Sequence, residues 1–450
     1  MTAYGMLGLE GLRRSHGGAP MPLPLVTGSF FVVFFQMALA DLLIEGKYSE
    51  QVKLVPERGP DLITFVWTGV SVAALLSTGL SGWLIDRYGS CACYLVALPF
   101  AGAIIWPAFF NYLEEKPVSV GCRISSERWH GRGRVPFLLA LVMGAAGIFL
   151  AVFSVWSDSL QLKFLAAISV GLLNLILFSI FLRPIIAKIN AFFFLQNVFH
   201  IGVHGASFYF FTDTPEQYPE GPHFSPAFFI TVMGLVASLF SLMGMVCYNM
   251  FAKTWKYRSI VTAGSLAFGG VNCLSAMVFL RLNLKLGIPD PVFMVASSAM
   301  QSVIGQLGWM PMTVMLAQLV PDGLECTIYA LLAGSLNLGM AVANYAGAFL
   351  LQSLGVNPSA AVGESAQFDR LWLAALISAC GPLVPLLLVR LLIPDARQTD
   401  KLLESADPSS ATVDSLFERW CARRGYAPVP KEQSAGSMEL SGKVMGQPAV

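Results

Sequence analysis

Long apolar stretches alternate along this 450-residue chain with short polar segments rich in Gly, Pro and charge. A helix needs about 20 apolar residues to cross the hydrocarbon core of a bilayer. Runs of that kind fall at 23–45, 62–85, 91–113, 136–156, 160–182, 186–211, 225–251, 259–280, 291–318, 325–351 and 371–393. They predict an all-α polytopic membrane protein of about eleven transmembrane helices. Helix breakers separate the runs, as in VPERGPD, TDTPEQYPEGPH, GIPDP and VPDG. Residues 1–22 read as a polar, Gly-rich segment without the apolar core of a signal peptide. From Pro394 onward the composition turns polar and predicts a disordered tail over 394–450.

Composition supports this reading: 55% of residues are hydrophobic, 12% are charged and the mean hydropathy is +0.65. That is too apolar for a soluble domain with a polar skin. The net charge of +1 carries no signal for nucleic acid, but the charges are segregated. Alternate loops hold Lys47, Lys53 and Arg58, then Lys116, Arg123, Arg128, Arg132 and Arg134, then Arg183 and Lys188, then Lys253, Lys256 and Arg258, and finally the basic tail. The other loops hold Arg87, Arg281 and Lys285, with Arg13 and Arg14 at the N-terminus. Cationic loops stay inside, so the first set and the C-terminus are expected in the cytoplasm and TDTPEQYPEGPH outside. This places residues 1–22 outside, where two arginines fit poorly, and the parity suggests an odd number of helices missing upstream.

Several polar side chains interrupt the spans. Asp41 and Glu45 are four residues apart on one helix face, Asp41 about one turn inside the cytoplasmic end and Glu45 near the interface. A carboxylate in a span is costly unless paired, protonated or wetted, so Asp41 reads either as a substrate or proton-coupling group or as half of a structural ion pair. Glu45 reads as an interfacial gate or proton-coupling partner. Asn190, Asn197 and His204 recur every seven residues with His200 between, which predicts one polar stripe facing a central cavity; interhelical hydrogen bonding is the alternative. Gln301, Gln306, Asn337 and Asn344 offer neutral hydrogen bonds, and Arg183, Lys188 and Arg390 are possible anion contacts or snorkelling cations. His200 and His204 lack a third ligand of suitable spacing, so no metal is expected. The eight cysteines lack metal or disulfide spacing and read as structural thiols. P-loop, GxSxG and HExxH motifs are absent from the sequence, which argues against an enzyme and leaves no cofactor to propose.

Five blocks, ALADLLIEGKYSE, TFVWTGVSVAALLSTGLSGWLIDRYG, LRPIIAKINAFFFLQ, GASFYFFTDTPEQYPEGPHFS and LVPDGLECTIYALLAGSLNLG, occur in order and resemble the folate–biopterin transporter family, a branch of the major facilitator superfamily, and in particular its protozoan pteridine transporters. The resemblance covers roughly residues 30–395. It implies a fold of two six-helix bundles around a midplane site, with the Asp41 helix as the fourth span. Residues 23–113 would be a partial N-terminal bundle of three spans, 114–135 a charged cytoplasmic loop, 136–182 an inserted helix pair and 183–393 the complete C-terminal bundle. The family's first three helices, with their Pro-Trp and Lys-Pro-Leu-Tyr-Gly-like segment, are not found, so the chain reads as N-terminally truncated. The implied activity is secondary transport of folate or biopterin, coupled to protons, in the plasma membrane. A truncated, non-transporting relative that binds a partner or a pterin is the alternative. A carboxylate such as Asp41 can accept the paired N–H groups of a pterin edge, and Arg183 could meet the glutamate tail of a folate.

Overall fold

The computed structural model describes residues 1–15, 17–112, 134–225, 228–321, 323–403 and 411–424, so the loop expected at 114–135 and much of the polar tail lie outside the described residues. Helix dominates, and among the described residues the one β feature is an isolated bridge between Lys256 and Arg397. In chain order the helices are α1 (Thr2–Ser15), α2 (Leu23–Leu54), α3 (Gly59–Tyr88), α4 (Ser90–Ala103), α5 (Arg134–Trp156), α6 (Leu160–Phe181), α7 (Pro184–Phe199), α8 (His204–Thr212), α9 (Met233–Cys247), α10 (Tyr257–Phe279), α11 (Asp290–Gln318), α12 (Glu325–Leu354), α13 (Leu371–Cys380) and α14 (Leu416–Arg423). Short helical turns extend α4, both ends of α9, and α13.

Among the described residues, ten helical stretches are long and apolar enough to cross a membrane. The eleventh expected span is α11, equally long but more polar, with Asp290, Gln301, Gln306 and Gln318 along it. The predicted all-α membrane architecture is therefore the observed one. Loops gather at two ends as the alternation requires. One end, here called the tail end, joins α2 and α3 to α12 and to the end of the α9 span: Lys53 pairs with Glu325 at 2.8 Å and Lys253 with Asp61 at 2.6 Å. The opposite end joins the loop after Thr212 to the loops near 280–290 and 356–369. There Arg281 pairs with Asp290 at 2.9 Å and Glu364 accepts the Ala360 N–H at 2.7 Å.

Helices α5 and α6 pack against α12 and α7 through Asn174, whose amide donates to Ser335 at 2.8 Å, and through an apolar cluster including Phe194 and Val342. Two polar segments pack against the spans. Within residues 1–22, α1 buries Ala3 and Leu7 against Val33. Residues 394–403 run beneath the tail end, and Gln398 is fully buried, accepting from the Tyr248 hydroxyl at 2.6 Å and donating to Ala252 O at 2.8 Å. The expectation of disorder fails for this stretch because its polar groups replace water with the exposed ends of neighbouring helices.

The span that starts at Pro184 is broken in the middle. Pro184 fits the first turn, where its missing N–H costs nothing, and α7 ends at Phe199, with His200 in a non-helical conformation and α8 beginning at His204. Backbone freed at membrane depth must find partners inside the protein. The Gly202 N–H donates to Ala343 O at 3.2 Å, and the Ser378 hydroxyl donates to Ile201 O at 2.6 Å. Gly347 of α12 and Gly381 after α13 face the Gly202 and Phe199 carbonyls so closely that a Cβ at either position would overlap the backbone. Close approach of three helices thus holds the break open.

Candidate functional site

A cavity of about 310 Å³ lies between α2 and α3 on one side and α7, α10, α11 and α12 on the other. Helix α2 contributes Asp41 and Glu45, one turn apart on the face that meets α12. Glu45 is half-buried, whereas Asp41, which lines the same cavity, is exposed. Next to Glu45 the buried hydroxyls of Tyr48 and Tyr329 lie 2.7 Å apart, and both interact with its carboxylate. The carboxylate therefore belongs to a cross-bundle network rather than to the interface where the sequence places it.

The walls are flat and aromatic. Trp67 of α3 meets Trp309 of α11 edge to face at 5.3 Å between centroids, and His200 meets Phe268 in the same way at 5.6 Å. The Trp67 indole nitrogen is buried and lies beside the Tyr48 hydroxyl. Gln196 donates to the Ser265 hydroxyl at 2.6 Å, and Asn197 donates to Phe193 O at 3.0 Å within its own helix, which leaves the Asn197 carbonyl oxygen for other partners. Asn337 and Thr313 complete the polar lining.

The structure thus brings together Asp41, Glu45, Asn197, His200 and Asn337 of the residues the sequence singles out. It separates the others from this cavity. His204 is exposed at the start of α8, because the break after Phe199 cuts the seven-residue stripe that an unbroken helix would carry. Asn190 is buried away from the cavity with both amide atoms unpartnered among the described residues. Gln306 lies against Gly244, and Gln301 is partly buried outside the lining. Arg183 sits at the tail end, its N–H donating to Ala411 O at 2.8 Å, so it does not reach the cavity. Sequence reading passed over Trp67, Trp309, Tyr329, Gln196 and Ser265. Gln196 alone carried a signal, standing four residues before His200 and hence on its face.

A second cavity of about 790 Å³ opens at the tail end, lined by Lys47, Glu50, Lys53, Glu325, Cys326 and Lys401. The Lys53–Glu325 pair lines it, while Tyr329, on the same helix as Glu325, lines the central cavity. Outside the spans, at the opposite end, burial and then the nearby Glu364 carboxylate push Asp213 up to about 6. Glu364 is held below its ordinary value: burial raises it, but hydrogen bonds from Ser359, Ala360 and Ala361 lower it by more.

The sequence profile of the BT1 family matches residues 18–412. Probable folate-biopterin transporter 6 of Arabidopsis thaliana is 24% identical over 387 residues, covering 86% of this chain and 66% of that protein. The folate-biopterin transporter of Synechocystis is 31% identical over 193 residues, 43% of this chain and 37% of the relative. Folate transporter 1 of Plasmodium falciparum is 26% identical over 124 residues, 28% of this chain and 25% of its own length. The protozoan match is thus partial, while the plant match runs through most of the chain; this chain spans at most 66% of the length of these relatives. Among solved structures, a POT family transporter in complex with a thioalcohol-conjugated peptide aligns with a TM-score of 0.52 at 17% identity, covering 86% of this chain and 80% of that one. A POT family transporter in complex with 5-aminolevulinic acid gives 0.51 at 17% identity with the same coverage. These likenesses establish a major-facilitator-type fold.

Proposed function

Because the chain belongs to the BT1 family, we propose that it is a secondary carrier of pteridines, folate or biopterin, working as a proton symporter in the plasma membrane with its C-terminus in the cytoplasm. The observation that carries this reading is the cavity itself: a slot between two helix groups, walled by Trp67, Trp309 and Phe268, with the Glu45 carboxylate on one side and the Asn337 amide on the other. Its volume, about 310 Å³, lies at the lower end for small-molecule sites and matches a bicyclic pterin ring better than a whole folate. A pterin edge carries adjacent N–H donors that one carboxylate can accept together, and its ring faces stack on aromatic walls. Relatives named as folate-biopterin transporters support the same substrate class.

Transport requires the slot to open alternately to either side. On the tail end the Lys53–Glu325 and Lys253–Asp61 pairs and the Tyr48–Tyr329 contact join the two helix groups. Release to the cytoplasm requires these ties to part. Glu45 touches both the tie and the cavity, so a proton or a substrate arriving there changes the charge that the two tyrosine hydroxyls stabilise. That is the coupling we propose, with Asp41, the more exposed carboxylate, as the group exchanging protons with water.

Binding to the purified protein tests the site. Biopterin should quench tryptophan emission saturably, and Trp67→Phe with Trp309→Phe should remove most of the quench. Quenching that is unchanged in the double variant, or absent from the wild type, overturns the proposed site.

A further inference from the structure

Helix α14 lies just beyond the residues that the family profile matches, which end at 412. It is nevertheless firmly built. The Ser415 hydroxyl accepts from the Glu418 N–H at 3.2 Å, while the Glu418 carboxylate accepts from the Asp414 N–H at 3.1 Å, a reciprocal cap that fixes the first turn. Its root is buried: Ala411 is fully enclosed and Ser415 is 1% exposed. The helix that follows turns its apolar side outward, with Leu416 53% exposed, Phe417 44% and Trp420 48%. Leu416 and Trp420 are four apart and Phe417 lies beside them, so they form one face. Arg419 and Arg423, also four apart, run along its flank, and the Arg424 guanidinium stands 4.3 Å over the Trp420 ring.

Position decides what covers that face. The Phe417 ring packs 5.3 Å from Phe181, the last residue of the α6 span, and the Ala411 carbonyl holds the N–H of Arg183, between the α6 and α7 spans. The helix therefore sits at the depth where hydrocarbon gives way to headgroups. An aromatic and aliphatic face bordered by arginines at that depth has the composition of an interfacial helix. We propose that α14 is a lipid anchor, lying in the membrane surface with Leu416, Phe417 and Trp420 among the acyl chains and Arg419, Arg423 and Arg424 on anionic phospholipid headgroups. Anionic lipid of the inner leaflet would thereby hold α14 at the tail end, where the Ala411 carbonyl accepts the Arg183 N–H.

Full-length protein in liposomes tests this. The chain has nine tryptophans, so the Trp420 signal is the difference between wild type and Trp420→Phe. That difference should be quenched about twofold or more by phospholipids brominated near the glycerol end of the acyl chain, and less by those brominated near the methyl end. Including about a third phosphatidylglycerol should deepen the quench, and the triple variant Arg419→Gln/Arg423→Gln/Arg424→Gln should abolish that increment. A Trp420 signal quenched by aqueous iodide and untouched by brominated lipid would place the helix in water or on another protein and overturn the proposal. Equal quenching in neutral and anionic bilayers would overturn its anionic-lipid part. Neither readout depends on pteridine transport.

Discussion

Glu45→Gln separates the roles of the two carboxylates most sharply. In the structure Glu45 faces the Tyr48 and Tyr329 hydroxyls, whereas Asp41 is the more exposed of the two carboxylates. Hydrogen bonds to a charged group contribute about 1.5–3 kcal/mol, against about 0.5–1.5 for neutral pairs. A pterin edge held by the carboxylate loses the charge-assisted pair when the amide replaces it, and the amide NH₂ then opposes a ligand donor. Together these cost about 2–3 kcal/mol, or a fall in biopterin affinity of roughly 30- to 150-fold at 1.4 kcal/mol per tenfold. Stability should move the other way or not at all, because a neutral amide relieves the burial of a charge. Asp41→Asn, in a wetter place, should weaken binding by at most about 1 kcal/mol, roughly fivefold. Titration of purified protein with biopterin, alongside thermal unfolding, measures both. Affinity within twofold of wild type in Glu45→Gln, or a larger loss in Asp41→Asn, would refute the reasoning.

Three further expectations concern the frame. Gly347→Ala should overpack the break against the Gly202 carbonyl, costing about 1–3 kcal/mol and visibly lowering the melting temperature, whereas Gly144→Ala, which meets open space, should leave it unchanged; equal melting of the two variants would contradict the packing. Asp213, pushed up to about 6, favours the protonated form when folded, so its stabilising contribution is complete below about pH 4 and is lost as pH rises through about 6. Glu364, held low, stays ionised in that window. Wild type should therefore melt lower at pH 7.5 than at pH 5, and Asp213→Asn should raise the pH 7.5 value and flatten the difference; an unchanged pH difference in the variant would remove Asp213 as its source. An epitope in TDTPEQYPEGPH should be labelled on intact cells and one in SERWHGRGR only after permeabilisation, with the reverse pattern inverting the orientation.

Hydropathy and charge alternation carry the spans and the grouping of loops into two ends, because burial in lipid is a property of each segment alone. What they miss depends on contacts between segments. Nothing local stops α7 at Phe199; the break is held by Gly347 and Gly381, some 150 residues or more further on, and it takes His204 off the stripe that His200 and Asn197 keep. The tyrosine pair beside Glu45 escapes sequence reading for the same reason, since Tyr329 approaches from a helix 281 residues from Tyr48. Gln398 reads as tail until Tyr248 and Ala252 are seen to bond it. Trp67 and Trp309 read as ordinary apolar residues until the fold sets them edge to face.

The central claim, that this chain carries pteridines through the slot between its two helix groups, is tested most directly by uptake of labelled biopterin into proteoliposomes containing the purified protein. The account predicts saturable uptake, faster with an inwardly directed proton gradient and sharply reduced by Glu45→Gln. Uptake no greater than in protein-free vesicles, with wild type and Glu45→Gln alike, would contradict it.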